Sequence, residues 1–196
     1  METPRAGAVV LAGGTSVRLD GADKASIELG GLTLLEHALG AMLDIDEVVV
    51  VGEAVPTTRP VTFTREDPAG GGPAAGVLAG LRAFARRPDL LVVLAVDMPL
   101  VTSATVRRLA AAAAAAGAAS DGAVLVDQAG KLQYLCAAYR PDALDRVRPP
   151  YEDEHGLAMR TLVGALDLAQ VAAFGPETRD VDTWDDLLAM RETFGD

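Results

Sequence analysis

The residues able to do chemistry fall in a few short segments. The longest is Leu11-Ala12-Gly13-Gly14-Thr15-Ser16-Val17-Arg18-Leu19-Asp20-Gly21-Ala22-Asp23-Lys24, in which glycines that let a backbone approach a ligand are followed by two cations, Arg18 and Lys24. Backbone N–H groups and cations together cradle phosphates. The segment contains neither GxxxxGK[ST] nor GxGxxG, so it is not a Walker loop or a dinucleotide fingerprint. Two isolated carboxylates follow, Asp67 ahead of a glycine-rich stretch and Asp97 directly after the most apolar run of the chain. Hard anionic oxygens of this kind suit Mg²⁺. Of 17 basic residues only Lys24 and Lys131 are lysine, so the use of lysine at position 24 is informative.

Other chemistries are excluded by composition. A single cysteine, Cys136, permits no internal disulfide and no cysteine-cluster zinc site, and with only His37 and His155 a His/Cys metal centre is not expected. Neither histidine has an evident serine or carboxylate partner, so no Ser-His-Asp arrangement is proposed. The formal charge of −11 argues against the broad basic footprint of a nucleic-acid binder, so any anionic ligand must be held locally. The longest apolar run outside the alanine tract, Leu90 to Val96, is far short of the roughly 18 residues of a membrane span. The opening residues lack the long apolar core of a signal peptide, so a cytoplasmic protein with no membrane partner is expected. The 196 residues, half of them apolar, fit one globular domain covering 1–196.

The elements that must position these groups alternate. Ala8 to Leu11 reads as a buried strand, Leu32 to Leu43 as an amphipathic helix, and Glu47 to Gly52 as a strand buried on both faces. Val61 to Thr64 is a short strand. A helix entered at Pro73 runs to about Arg87, where Pro88 stops it. Leu90 to Val96 forms a strand, and Thr102 or Ser103 caps a helix running through the alanines 110–116. Gly122 to Asp127 and Leu132 to Tyr139 pair as a hairpin around Gln128-Ala129-Gly130. Pro141 opens a short helix, and residues 151–155 form an acidic loop. Leu157 to Leu166 is helical, Ala169 to Phe174 a strand, and Thr183 to Arg191 a closing helix. This order predicts an α/β fold, a mainly parallel sheet covered on both faces with a small antiparallel excursion. Ligands of open α/β sheets bind beyond the carboxyl ends of the strands, where Gly13-Gly14, Asp67 and Asp97 converge.

Several of these residues admit a purely structural role. Asp97 can cap the helix near Thr102, and Asp182 can be the N-cap of the last helix. Cys136, between Leu135 and Ala137, reads as a small core residue. Gln133, Tyr134 and Arg160 lie in the half of the chain that would face a second substrate, with Arg160 either pairing with a phosphate or standing on the surface.

Four segments also carry a resemblance. Leu11-Ala12-Gly13-Gly14-x-Ser16-x-Arg18 through Asp23-Lys24, Gly72-Pro73-Ala74-Ala75-Gly76, Asp97-Met98-Pro99, and Asp180-Val181-Asp182-Thr183-Trp184-Asp185-Asp186-Leu187 stand in the order found in the molybdenum cofactor guanylyltransferase (MobA-like) nucleotidyltransferases. The chain resembles that family over nearly its whole length. The resemblance implies a Rossmann-like, three-layer nucleotidyltransferase domain that moves a nucleoside monophosphate from a nucleoside triphosphate to a phosphorylated acceptor with Mg²⁺, releasing pyrophosphate. The expected donor is GTP and the expected acceptor a molybdopterin.

By the same resemblance, the backbone of Leu11, Ala12, Gly13 and Gly14 holds base and phosphates, Lys24 the phosphates, Asp67 the nucleoside, and Asp97 the metal. Arg18 and Lys24 stabilise the leaving pyrophosphate. Two departures stand out. The segment from Arg18 to Lys24 is one residue longer than the family's Arg-Met-Gly-x-Asp-Lys and adds Asp20. Asp180 and Asp182 replace two asparagines, which resembles the closing motif of related cytidylyltransferases and 2-phospholactate guanylyltransferases and makes both residues candidate metal ligands. Cytidylyltransferase relatives tend to read Leu-Ala-Ala-Gly, so Gly13 favours guanine. A cytidylyl- or phospholactate-type transferase is the alternative within the class, and a nucleotide-binding protein without catalysis the alternative outside it.

Overall fold

The computed structural model describes residues 5–13, 23–67, 69–117 and 120–195. Ala6–Leu11 is strand β1. The chain resumes with a 3-10 turn, Lys24–Ser26, and a small antiparallel hairpin, β2 (Glu28–Leu29) and β3 (Leu32–Thr33). Helix α1 spans Leu34–Ala41, β4 Glu47–Val51, β5 Thr62–Thr64, α2 Gly72–Arg82 and β6 Leu90–Ala95. Helix α3 (Ser103–Ala115) precedes β7 (Gly122–Val126) and β8 (Leu132–Tyr139). The chain ends with α4 (Pro141–Val147), a 3-10 turn at Tyr151–Asp153, α5 (Met159–Val163), β9 (Leu168–Ala172) and α6 (Trp184–Phe194).

Seven strands form one sheet in the order β5-β4-β1-β6-β8-β7-β9. All neighbours are parallel except where β8 runs antiparallel to β6 and β7, the excursion expected from the sequence. Side chains alternate across the central strands, which is what a strand buried on both faces requires. Ala8, Val10, Val48, Val50, Val92 and Leu94 pack under the layer that contains α1, α3 and α6. Val9, Leu11, Val49, Val51, Leu91 and Val93 pack under the layer that contains α2, α4 and α5. Helix α2 sits close because it presents glycine to the sheet: a Cβ at Gly80 would lie 2.6 Å from Val9 Cγ2, and one at Gly76 would lie 3.0 Å from Leu11 Cδ2. Among the described residues, no helix is long and apolar enough to cross a membrane.

Three local expectations are corrected. The helix read from Leu32 begins at Leu34, because Gly30 (φ 59°) and Gly31 (φ 75°) form the tight turn of the β2–β3 hairpin. The helix read to Arg87 ends at Arg82. Past that point the Phe84 ring fills the space over Gly7 and the Ala85 N–H donates to the Glu47 carboxylate, so the backbone leaves the helical path. The helix read over Leu157 to Leu166 is limited to Met159–Val163, because the Leu157 N–H turns back to the Glu154 carbonyl and Gly164 closes the other end.

Candidate active site

The sheet reverses its winding between β1 and β6, so the crevice at their carboxyl ends is the place where an open α/β sheet binds ligands. Leu11, Ala12 and Gly13 leave β1 there, and Asp97 follows β6. The Val96 N–H donates to the Leu11 carbonyl at 3.0 Å, which holds the two exits side by side.

Lys24 enters from the loop that follows β1. Asp23 caps the 3-10 turn, accepting from the Ala25 N–H at 3.2 Å and the Ser26 hydroxyl at 2.7 Å, and this fixes where Lys24 leaves the backbone. Its ammonium lies 3.1 Å from Asp97 Oδ2 and 2.6 Å from Asp182 Oδ1. Asp182 is brought there by the chain end, where the Val181 N–H donates to the Asp97 carbonyl at 2.9 Å and the buried Val181 side chain joins the core. The structure therefore gathers Lys24, Asp97 and Asp182. Asp180 is exposed and influences Asp97 through its charge. Asp67 stands at the outer edge of the same rim, beyond β5. Gly14 and Arg18 lie outside the described residues, as does Asp20.

The N-cap positions of α3 and α6 are held by threonines. Thr102 is the N-cap of α3, and its N–H is met by Thr105 Oγ1 at 3.3 Å. Thr183 is the N-cap of α6, with its hydroxyl accepting from the Asp186 N–H and the Asp186 carboxylate accepting from the Thr183 N–H. Threonines thus take both N-cap positions, and Asp97 and Asp182 both face Lys24.

The electrostatics follow from this burial. Desolvation is the largest influence on Asp97 and raises its pKa above the ordinary carboxylate value; the Lys24 charge and hydrogen bond oppose the rise, and Asp182 and Asp180 add to it. Burial alone would lower the Lys24 pKa, but the hydrogen bond to Asp182 and the charge of Asp97 outweigh it and the net shift is upward. The ammonium thus occupies the place of a cation between two carboxylates. A pair of carboxylates suits Mg²⁺, which commonly takes one or two from the protein and completes its shell with water and phosphate oxygens. Among the described residues there is no group of three or more His, Cys, Asp and Glu side chains able to hold a metal by themselves.

The β1 exit presents acceptors. The Ala12 and Gly13 N–H groups both donate to the Val51 carbonyl at 2.9 Å, and no described residue donates to the Ala12 or Gly13 carbonyl. Among the described residues, a Cβ on Gly13 would meet Val51 O at 3.5 Å and Gly52 Cα at 3.7 Å, both ordinary contacts.

Other candidates take structural places. Cys136 is buried, which pushes its thiol up to about 12 and keeps it an inert core residue. His37 bonds the Leu29 carbonyl and packs edge-on against Phe194. Gln133 bonds Asp127, the Tyr134 carbonyl accepts from the Tyr139 hydroxyl, and Arg160 is exposed on α5. Sequence reasoning missed the link between Tyr151 and Asp67, whose carbonyl accepts from the Tyr151 hydroxyl, because no local pattern reports a contact across 84 positions.

The MobA-like NTP transferase domain family matches residues 8–170. A probable molybdenum cofactor guanylyltransferase of Mycobacterium tuberculosis (strain H37Rv) is 39% identical over 151 residues, 74% of this chain and 72% of that protein. The molybdopterin-guanine dinucleotide biosynthesis protein A of Archaeoglobus fulgidus superposes with a TM-score of 0.73 at 23% identity, over 96% of this chain and 98% of that one. The 2-C-methyl-D-erythritol 4-phosphate cytidylyltransferase of Thermus thermophilus gives a TM-score of 0.68 at 20% identity, over 96% and 98%. These structural likenesses show the shared fold. The family match over most of the chain carries the identity further: this protein belongs to the MobA-like NTP transferase domain family and is a nucleotidyltransferase.

Proposed function

We propose that this single domain transfers GMP from GTP to a phosphate of a molybdopterin-type acceptor with the help of Mg²⁺. The observation that carries the reading is the convergence of Lys24, Asp97 and Asp182 at the point where the sheet reverses its winding. In the reaction an acceptor phosphate oxygen bonds to the α-phosphorus, the bond from that phosphorus to the bridging oxygen breaks, and pyrophosphate leaves. Such a step needs charge neutralisation and alignment more than a base of special pKa.

Lys24 neutralises the phosphates, and Arg18 is assigned beside it on the leaving pyrophosphate. Asp97 and Asp182 would hold Mg²⁺, with Asp180 adding negative charge nearby. The bound metal supplies Lewis-acid stabilisation of the phosphoryl oxygens. Leu11, Ala12, Gly13 and Gly14 are assigned to base and phosphates, and Asp67 to the nucleoside. Open carbonyls at Ala12 and Gly13 favour a base edge that offers N–H donors, and the bare Cα of Gly13 leaves room for guanine.

Thermal-shift titration with GTP, CTP and ATP, with and without Mg²⁺, tests the reading, because a ligand bound only by the native state raises its apparent stability. GTP with Mg²⁺ should give the largest shift. A larger shift with CTP would move the assignment to a cytidylyltransferase, and binding without transfer to any acceptor would favour a non-catalytic binding protein.

A further inference from the structure

The glycine-rich connection between β5 and α2, followed by Gly72 at the start of the helix, has few side chains of its own to fix it beyond Glu66, which accepts from the Gly70 N–H at 3.1 Å. It is held at both ends by one distant segment, residues 151–156. The Tyr151 hydroxyl donates to the Asp67 carbonyl, and the Gly156 N–H donates to the Gly71 carbonyl at 2.7 Å. That segment has its own anchor. The Glu154 side chain, 4% exposed, accepts two hydrogen bonds of 3.0 Å from Arg82 at the end of α2, and Arg148 lies 3.6 Å from it. The Arg82 guanidinium in turn stands 5.3 Å from the centre of the Tyr151 ring. A carboxylate this buried is kept by its partners, so the acidic run Glu152-Asp153-Glu154 is partly internal structure rather than a solvated surface.

We propose that residues 151–156 are a clasp that sets the position of Asp67 for nucleoside recognition, with Tyr151 as a positioning residue that acts through the Asp67 backbone. The inference rests on the assignment of Asp67 to the nucleoside made above. The clasp is a support and not a pocket of its own: the cavity left between it and the loop is about 130 Å³, below the roughly 300 Å³ at which ligand sites begin. Its effect is to remove conformational freedom before the nucleotide arrives, so that less is lost on binding. The Asp67 carboxylate makes no hydrogen bond to another described residue, so it remains available to a ligand donor such as a ribose hydroxyl or an exocyclic amine.

Tyr151→Phe keeps the ring over Arg82 and removes only the hydroxyl, which makes it the informative variant. One neutral hydrogen bond corresponds to about three- to tenfold, so KM and the calorimetric dissociation constant for GTP should rise by that factor. The turnover number and the acceptor KM should stay within about twofold. Asp67→Ala should raise the GTP KM at least as much, and the double variant should be no worse than Asp67→Ala alone, because Tyr151 acts through Asp67. If Asp67→Ala weakens GTP binding while Tyr151→Phe does not, or if the two effects multiply, the clasp is overturned and the nucleoside assignment survives. If Asp67→Ala leaves GTP binding unchanged, the nucleoside assignment falls and the clasp falls with it.

Discussion

The ammonium of Lys24 stands 2.6 Å from Asp182 Oδ1, although the two are 158 positions apart in the chain. The same nitrogen reaches Asp97, so one cation ties together the 3-10 turn at Lys24–Ser26, the end of β6 and the turn before α6. Substituting Lys24 therefore tests chemistry and architecture at once. Lys24→Ala should lower turnover by about 10² to 10³, the scale for removing one preorganised charge stabiliser. Lys24→Arg should recover only part, because a planar guanidinium cannot follow a shifting triphosphate as a flexible ammonium does. Lys131→Ala, on the exposed turn between β7 and β8, is the control and should change steady-state rates little. Equal losses at both lysines would remove the reason for placing phosphates at Lys24.

Asp97 should be costly to stability and necessary to function. Its folded pKa lies above its unfolded value near 3.8, so the native state holds the proton more tightly and stability declines as pH rises through that window. Asp97→Asn removes the titration. Urea unfolding of the variant should show stability equal to or above wild type at pH 7, with the difference growing as pH rises above about 4. A variant whose relative stability grows on acidification would contradict the assignment of burial as the dominant influence.

Glu177 is the opposite case. It accepts hydrogen bonds from Thr105 and Arg108 and from the Phe174 N–H, and despite the opposing effect of burial its pKa is held below 4.5. Its stabilisation is present above that value and lost as pH falls through the folded pKa. Glu177→Gln should cost about 1–3 kcal/mol at pH 7, and the penalty should vanish in acid.

Gly13 should matter to the ligand and not to the fold. Among the described residues Gly13→Ala introduces ordinary contacts alone, so the melting temperature should move by less than about 2 °C. GTP binding should weaken, and more than CTP binding does. A large loss of stability with unchanged nucleotide affinity would make the glycine a packing residue.

The fold and much of the rim were legible because their signals are local. Apolar runs such as Val48 to Val51 and Leu91 to Val96 can only be central strands, and an aspartate that ends such a run must lie at the sheet's carboxyl edge. That reasoning puts Asp97 at this edge, and the structure has it directly after β6. The pairing of Lys24 with Asp182 and the clasp of Tyr151 on Asp67 were not, because each depends on tertiary closure over many residues. The early end of α2 was hidden for a similar reason: the space that takes Phe84 is created by Gly7, on another element. The β2–β3 hairpin escaped because two-residue strands are too short to show alternation, though Gly30-Gly31 carried its turn signal.

The central claim is that the cluster of Lys24, Asp97 and Asp182 is the transfer centre. The most direct measurement is release of pyrophosphate from GTP in the presence of Mg²⁺ and molybdopterin, with product analysis for GMP joined to the acceptor, in wild type and in folded Asp97→Asn. The account predicts GTP-dependent release with a joined product in wild type, and a loss of at least about 10²-fold in the variant. Wild-type turnover by Asp97→Asn at saturating Mg²⁺ would contradict it.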